Sequence, residues 1–283
     1  MSSTATAPSN LMGWTRAVHI EEVWGTVVTF EVRDEEIAPG VDDAFAEAVE
    51  FLHQVDRWFS TYKLETPISA LRMGYATLDQ LPAVIGEVLD RCAYIRDLTE
   101  GRFDPWAVKG GVDPSGYVKG WAADIAADMI VAHGFMNVAV NAAGDVTCRG
   151  YQSPGQPWVV GIRHPVDPMA VVTSTEVFNG AIATSGEYER GKHILNPLTG
   201  RNEVALSSAT VVGPDGGLAD ALATALLIEG PAGVRWFAGL PGWSGYLIEG
   251  ETAHYFGTAF SADQSGTNTA ATDAAVQFSE EGF

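Results

Sequence analysis

Residues 213–224, GPDGGLADALAT, run a glycine-rich turn straight into a helical pattern, with Asp220 and Thr224 four apart. That spacing puts a carboxylate and a hydroxyl on one face of the helix. With backbone carbonyls nearby the donor set is all oxygen, which suits a hard cation such as Mg²⁺, whereas zinc takes His or Cys. The plainer alternative is that Asp220 caps the helix and Thr224 is a surface or back-bonded hydroxyl. In residues 183–200, ATSGEYERGKHILNPLTG, Thr184 and Ser185 precede Gly186, where a bare backbone admits a close ligand. His193 follows seven residues later, a side chain easily poised as a general base near neutral pH, although a lone loop histidine is also compatible with an incidental role. In residues 110–124, GGVDPSGYVKGWAAD, glycines flank Lys119 and the helical pattern begins just after it. Amides at a helix start together with a lysine can cradle a phosphate. The P-loop pattern is absent, and no G-x-G-x-x-G follows a strand.

The elements that must position these residues alternate along the chain. A β-branched run over 23–32 reads as a strand. From Asp42, the apolar positions Phe45, Val49, Leu52, Val55 and Phe59 recur at helical spacing. Further helices are expected over 81–98, with Gly101 as its stop, and over 120–133, with Gly134 as a left-handed cap. Short strands are expected over 137–141, 145–148, 158–163, 208–212, 245–249 and 254–257, interrupted by a helical pair over 218–228 and 231–240. The class is mixed α/β, of α+β type, without an internal repeat.

Composition narrows the function. Hydrophobic residues make up 46% of the 283, enough for a real core. The 36 acidic against 16 basic residues give a formal charge of −20, which opposes binding to phosphate backbones or anionic lipid. The two cysteines, Cys92 and Cys148, make neither a disulfide framework nor a metal knuckle. Residues 1–15 read as a flexible tail without a secretory pattern, 16–258 as the working domain, and 259–283 as a disordered tail. No window approaches the roughly 20 apolar residues of a membrane span, so the expected location is cytoplasmic.

The order of the motifs carries more than any one of them. Phe59-Ser60-Thr61-Tyr62, Gly101-Arg102-Phe103-Asp104-Pro105 and Lys119-Gly120-Trp121-Ala122-Ala123-Asp124 come first. Asn141-Ala142-Ala143-Gly144-Asp145, Ala183-Thr184-Ser185-Gly186, His193-Ile194 with Asn196-Pro197-Leu198-Thr199-Gly200, and Asp220-Ala221-Leu222-Ala223-Thr224 follow. Over roughly residues 20–250 the series resembles the ApbE family, the FAD:protein FMN transferases. The resemblance implies an ApbE-like fold of two intertwined subdomains with the ligand site in the cleft between them. It implies a Mg²⁺-dependent enzyme that takes FAD and transfers FMN to a Thr or Ser of an acceptor protein through a phosphodiester, releasing AMP. Asp220 and Thr224 would be side-chain ligands of Mg²⁺, joined by backbone oxygen at Gly116 and Ala223. Asp113, Lys119 and Asp124 would lie on the cofactor side, with Tyr62 and the turn Phe103, Asp104, Pro105 lining the pocket. Thr184, Ser185, Gly186 and Ile194 would touch the cofactor, Trp24 is a further contact, and His193 would be the catalytic base.

Three positions depart from the family's pattern. Trp24-Gly25-Thr26 stands for Met-Gly-Thr, Ala143 for the first glycine of Gly-Gly-Asp, and Asn196 for an aspartate after the histidine. The last removes a charge beside the expected base. Two alternatives therefore stand beside transfer: a Mg²⁺-dependent FAD pyrophosphatase in which water replaces the acceptor, and a non-catalytic FAD-binding protein. Ser265-Gly266-Thr267 in the tail loosely resembles the acceptor's flavinylation sequence, with a solvated end as the plain alternative.

Overall fold

The chain enters its main sheet as a hairpin, β1 (Thr15–Val23) and β2 (Thr26–Asp34), closed by Trp24-Gly25. Both turn residues have positive φ, 59° and 70°, the combination a two-residue loop needs if its twist is to match the strands. The single strand expected over 23–32 is thus a turn followed by a strand. A tryptophan in the left-handed region gives no sequence signal of that turn. The computed structural model describes residues 13–186 and 194–260; His193 and the Ser265-Gly266-Thr267 segment lie outside the described residues.

Helices follow: α1 (Val41–Phe59), α2 (Pro67–Arg72), α3 (Ala83–Leu98) and α4 (Ser115–Ala132). α4 begins five residues before the expected position 120, behind the N-cap Pro114. Lys119 therefore lies inside the helix, and the reading of a phosphate cradle at a helix start does not hold. β3 (Val138–Ala142) and β4 (Asp145–Arg149) extend the sheet. A second sheet comprises β5 (Tyr151–Ser153), β6 (Gln156–Arg163) and β7 (Val171–Val177). The chain then returns through β8 (Gly180–Gly186), β9 (Ser208–Gly213), α5 (Gly216–Glu229), a 3₁₀ segment (Gly230–Gly239), β10 (Ser244–Glu249) and β11 (Thr252–Phe256). The eight-stranded sheet has the order β1-β2-β3-β4-β8-β9-β10-β11, antiparallel throughout. β1, β5, β7 and β8 were not expected. Polar residues such as Arg16, Glu21 and Glu22 dilute the first, β5 is only three residues long, and small hydroxyl residues dilute the other two.

Period-two alternation divides the apolar side chains between two cores. Val28, Phe30, Val32, Val138, Val140, Val211 and Leu247 face the helical layer, whereas Ala139, Val146, Ile182, Val212 and Ile248 face the small sheet with Trp158 and Ile162. α5 packs against both α4 and strands β8 and β9, so apolar residues surround most of its circumference. The stretch Gly216–Gly239 is, among the described residues, apolar and long enough by composition to cross a membrane, contrary to the sequence expectation, but it is 67% buried inside the protein.

Glycine sets how closely α4 and α5 approach. A Cβ on Gly120 would stand 2.1 Å from the Gly216 carbonyl oxygen, and one on Gly216 would stand 2.6 Å from that of Gly120. In the main sheet, Ala143 and Gly144 close β3 onto β4 with φ of 58° and 100°. An L-alanine in that region is strained by its own Cβ. Ala143→Gly is expected to stabilise the protein by about 0.5–1 kcal/mol in a denaturant titration. An unchanged midpoint would show that the turn relaxes without strain.

Candidate functional site

Asp220 lies in the second turn of α5, its side chain turned into the α4 contact and only 4% exposed. The capping alternative is thereby excluded: Asp215 caps α5, its Oδ1 accepting from the Leu218 amide at 2.8 Å. The backbone amide of Gly120 donates to Asp220, but Oδ2 is buried without a hydrogen-bond partner. Lys119 Nζ stands 3.5 Å from that oxygen, an ion-pair distance too long for a full hydrogen bond. Burial pushes the Asp220 carboxyl up to about 7; the negative Asp145 adds to the rise, and Lys119 opposes it.

One turn further on, Thr224 Oγ1 and Ser185 Oγ share a hydrogen bond of 3.0 Å, so Thr224 is tied to β8 and is no surface hydroxyl. Gly116 faces the same hydroxyl, since a Cβ there would lie 3.9 Å from Thr224 Oγ1 and 3.3 Å from the Phe103 ring. Thr184 Oγ1 and Thr210 Oγ1 pair at 2.9 Å across β8 and β9. The structure thus brings Gly116, Lys119, Ser185, Asp220 and Thr224 together from α4, β8 and α5.

It also adds a residue that sequence reasoning left out of the site. Asp145, the first residue of β4, is 5% exposed and accepts a 2.7 Å hydrogen bond from Lys119 Nζ. Its position just after a two-glycine-like turn in the Asn141–Asp145 motif was the available signal, but nothing local tells a turn aspartate from one that faces another helix.

The other expected residues divide. Phe103 is buried and Asp104 Oδ1 accepts from the Trp106 amide. The Pro105 carbonyl accepts from the Asp113 amide, and Asp113 Oδ1 in turn accepts from the Ser115 amide, so this loop is fastened to the start of α4. Tyr62 presents a 94% exposed ring, and Trp24 and Ile194 rest half-buried on the helical-side core. Gly186 ends β8 opposite Ser208. The Ala223 methyl is fully buried, leaving only its backbone as an oxygen donor.

Asp124 is different. Its Oδ1 accepts from Thr147 Oγ1 at 2.9 Å and Arg149 Nη2 at 3.3 Å, and its Oδ2 accepts from the Gly216 amide. Both oxygens are taken by the scaffold: the residue ties α4 to β4 and to the start of α5, in place of the expected cofactor contact. Asn196 is likewise engaged, its Oδ1 accepting from the Leu198 amide and its backbone bridging to Arg201. An aspartate would close the same turn, so the departure leaves local geometry intact while removing a charge.

The donors fit a hard divalent cation. A buried carboxylate oxygen lacks a partner, a threonine hydroxyl stands one turn away, and a bare glycine backbone lies against that hydroxyl. Among the described residues no three His, Cys, Asp or Glu side chains form a group that could hold a metal ion. An open groove of about 820 Å³ lies elsewhere, between β7, the start of β8 and Pro241-Gly242. It opens at the opposite end of β8 from Thr184-Ser185-Gly186 and shares no residue with this cluster.

Residues 107–244 match the model of the ApbE family. Over 131 residues the chain is 37% identical to an FAD:protein FMN transferase of Vibrio cholerae, covering 42% of this chain and 39% of that protein. Over 150 residues it is 34% identical to an FAD:protein FMN transferase of Escherichia coli K12, covering 50% of this chain and 43% of that protein. The aligned part of the chain thus spans about two-fifths of the length of these curated relatives. Among solved structures, the flavin transferase ApbE from Vibrio cholerae superposes with a TM-score of 0.74 at 22% identity, covering 86% of this chain and 97% of that one. The ApbE protein of Thermotoga maritima gives 0.71 at 22%, covering 85% and 96%. At such identity these two show the shared fold.

Proposed function

We propose that this protein, similar to the ApbE family over residues 107–244, is a Mg²⁺-dependent FAD:protein FMN transferase acting in the cytoplasm on a Ser or Thr of an acceptor protein. The observation that carries the reading is the Asp220–Thr224 oxygen pair, one helical turn apart, with Asp220 Oδ2 buried and unpartnered. Asp220 and Thr224, with the carbonyl oxygens of Gly116 and Ala223, would hold the cation. When bound, Mg²⁺ neutralises the FAD diphosphate and the charge that develops on the leaving AMP.

The chain's own groups supply the rest. Lys119 offers an ammonium to the diphosphate from inside α4, and Asp113 and the Phe103–Pro105 turn bound the cofactor's side of the site. Thr184-Ser185-Gly186 place a bare strand end beside it, while Tyr62 and Trp24 offer rings to the flavin. His193 takes the proton of the acceptor hydroxyl. The hydroxyl oxygen then bonds to the phosphorus of the FMN half as the bond from that phosphorus to the bridging oxygen breaks, and AMP departs with that oxygen. The imidazole keeps the proton until solvent removes it.

The test is incubation of the protein with FAD, Mg²⁺ and acceptor proteins carrying candidate flavinylation sequences. Intact mass should show an acceptor heavier by one FMN, and His193→Ala should slow its appearance by about 10²–10⁴-fold. FMN and AMP released equally with and without acceptor, and no adduct, would assign the reaction to water. No turnover in either case would leave a flavin-binding protein.

A further inference from the structure

Two buried carboxylates compete for one ammonium beside the candidate cation site. Lys119 Nζ lies 2.7 Å from Asp145 Oδ2 and 3.5 Å from Asp220 Oδ2. The first distance is a charge-assisted hydrogen bond; the second is a near approach to an oxygen that has no hydrogen-bond partner. An ammonium lodged on Asp220 would occupy the oxygen a divalent cation needs. Lysine's flexible four-carbon stem lets its head reach either carboxylate.

Asp145 is well placed to fix that choice. It begins β4 directly after the Ala143-Gly144 turn, whose Gly144 amide donates to Asn141 Oδ1 at 2.8 Å. The carboxylate is thus anchored to the sheet while Lys119 and Asp220 come from two helices packed on it.

We infer that Asp145 is a positioning residue that draws the Lys119 ammonium off Asp220, keeping the Asp220 oxygen open to the divalent cation. The inference rests on the proposed function, since it assumes that Asp220 holds a cation. In the cation-bound protein Lys119 stays paired with Asp145. Without Asp145 the ammonium falls onto Asp220 and becomes an internal competitor of the metal.

The experiment measures cation binding in the absence of FAD, by calorimetry with Mg²⁺ and by electron paramagnetic resonance with Mn²⁺. Asp145→Asn should weaken binding by about tenfold or more, as loss of an outer partner at a metal site commonly does. Asp145→Glu should recover much of it, and Lys119→Met should bind Mg²⁺ more tightly than the wild type. In the Lys119→Met background, Asp145→Asn should lose its effect, because nothing is left to hold back. A full-sized loss in that background would mean that Asp145 acts by its charge alone and overturns the inference. So would a wild-type affinity in Asp145→Asn. If Asp145→Asn fails to fold by circular dichroism, Lys119→Met decides alone: unchanged or weaker binding overturns the inference. A wild type that takes up neither cation overturns the proposed function as well, whereas a wild-type site indifferent to these variants sinks only the positioning role.

Discussion

Asp220→Asn should abolish uptake of Mg²⁺ and lower FMN transfer on the order of 10³-fold, while leaving the protein folded and, above neutral pH, harder to unfold. The two effects have one cause. Asp220 is 4% exposed with one oxygen lacking a hydrogen-bond partner, so its charge is kept at the expense of stability until a cation neutralises it. Loss of one preorganised electrostatic group typically lowers turnover 10²–10³-fold. Under the proposed function the lost carboxylate would also anchor the ion that carries the rest.

The pH dependence follows from the same group. In the folded state burial raises the Asp220 carboxyl to about 7, well above the usual carboxylate value of about 4. The folded protein therefore binds this proton more tightly than the unfolded chain does, and stability is lost as pH climbs from about 4 to 7. Below that window both states are protonated; above it the loss is complete. In EDTA, thermal melts of the wild type should fall relative to those of Asp220→Asn between pH 4 and 7, and saturating Mg²⁺ should remove most of the difference by favouring the charged form. Melting curves that run parallel at every pH, with and without Mg²⁺, would be incompatible with a cation at Asp220.

Gly120→Ala should be the most damaging single methyl in the protein's helical layer. The added Cβ would meet the Gly216 carbonyl oxygen at 2.1 Å, a contact with backbone that no rotamer can relieve. Either α4 and α5 separate or the fold gives way, and a loss of about 3 kcal/mol or more is expected. Separation would also undo the site, because Lys119 and Gly116 ride on α4 while Asp220 and Thr224 ride on α5. Denaturation midpoints and Mg²⁺ affinity should therefore fall together. As a control, Gly134→Ala adds its methyl where nothing lies within 4 Å, so it carries only the strain of a left-handed residue and should spare the metal site. Equal loss of Mg²⁺ affinity in both variants would refute the idea that the helix crossing itself holds the ligands in register.

The same glycines explain one misreading of the sequence. α4 was expected to start at Gly120, just after Lys119; in the fold Gly116 lies in its first turn and Gly120 in its interior, where the missing Cβ lets α5 come close. Helical period alone did place Asp220 and Thr224 on one face, residue types anticipated most of the sheet, and the order of the motifs gave the resemblance to the ApbE family. These features are local: each depends on which side of its own element a residue occupies. What faces that side is another matter. Asp145 is 26 residues from Lys119, Ser185 is 39 from Thr224, and Asp124 is 92 from the Gly216 amide it receives. Such partnerships arise only when strand register and the allowed approach of two helices are fixed together. That is why the chain announced the Asp220–Thr224 oxygen pair in advance, while tertiary packing alone decided that Asp145 would meet Lys119 beside it and that Asp124 would tie α4 to β4 and to the start of α5.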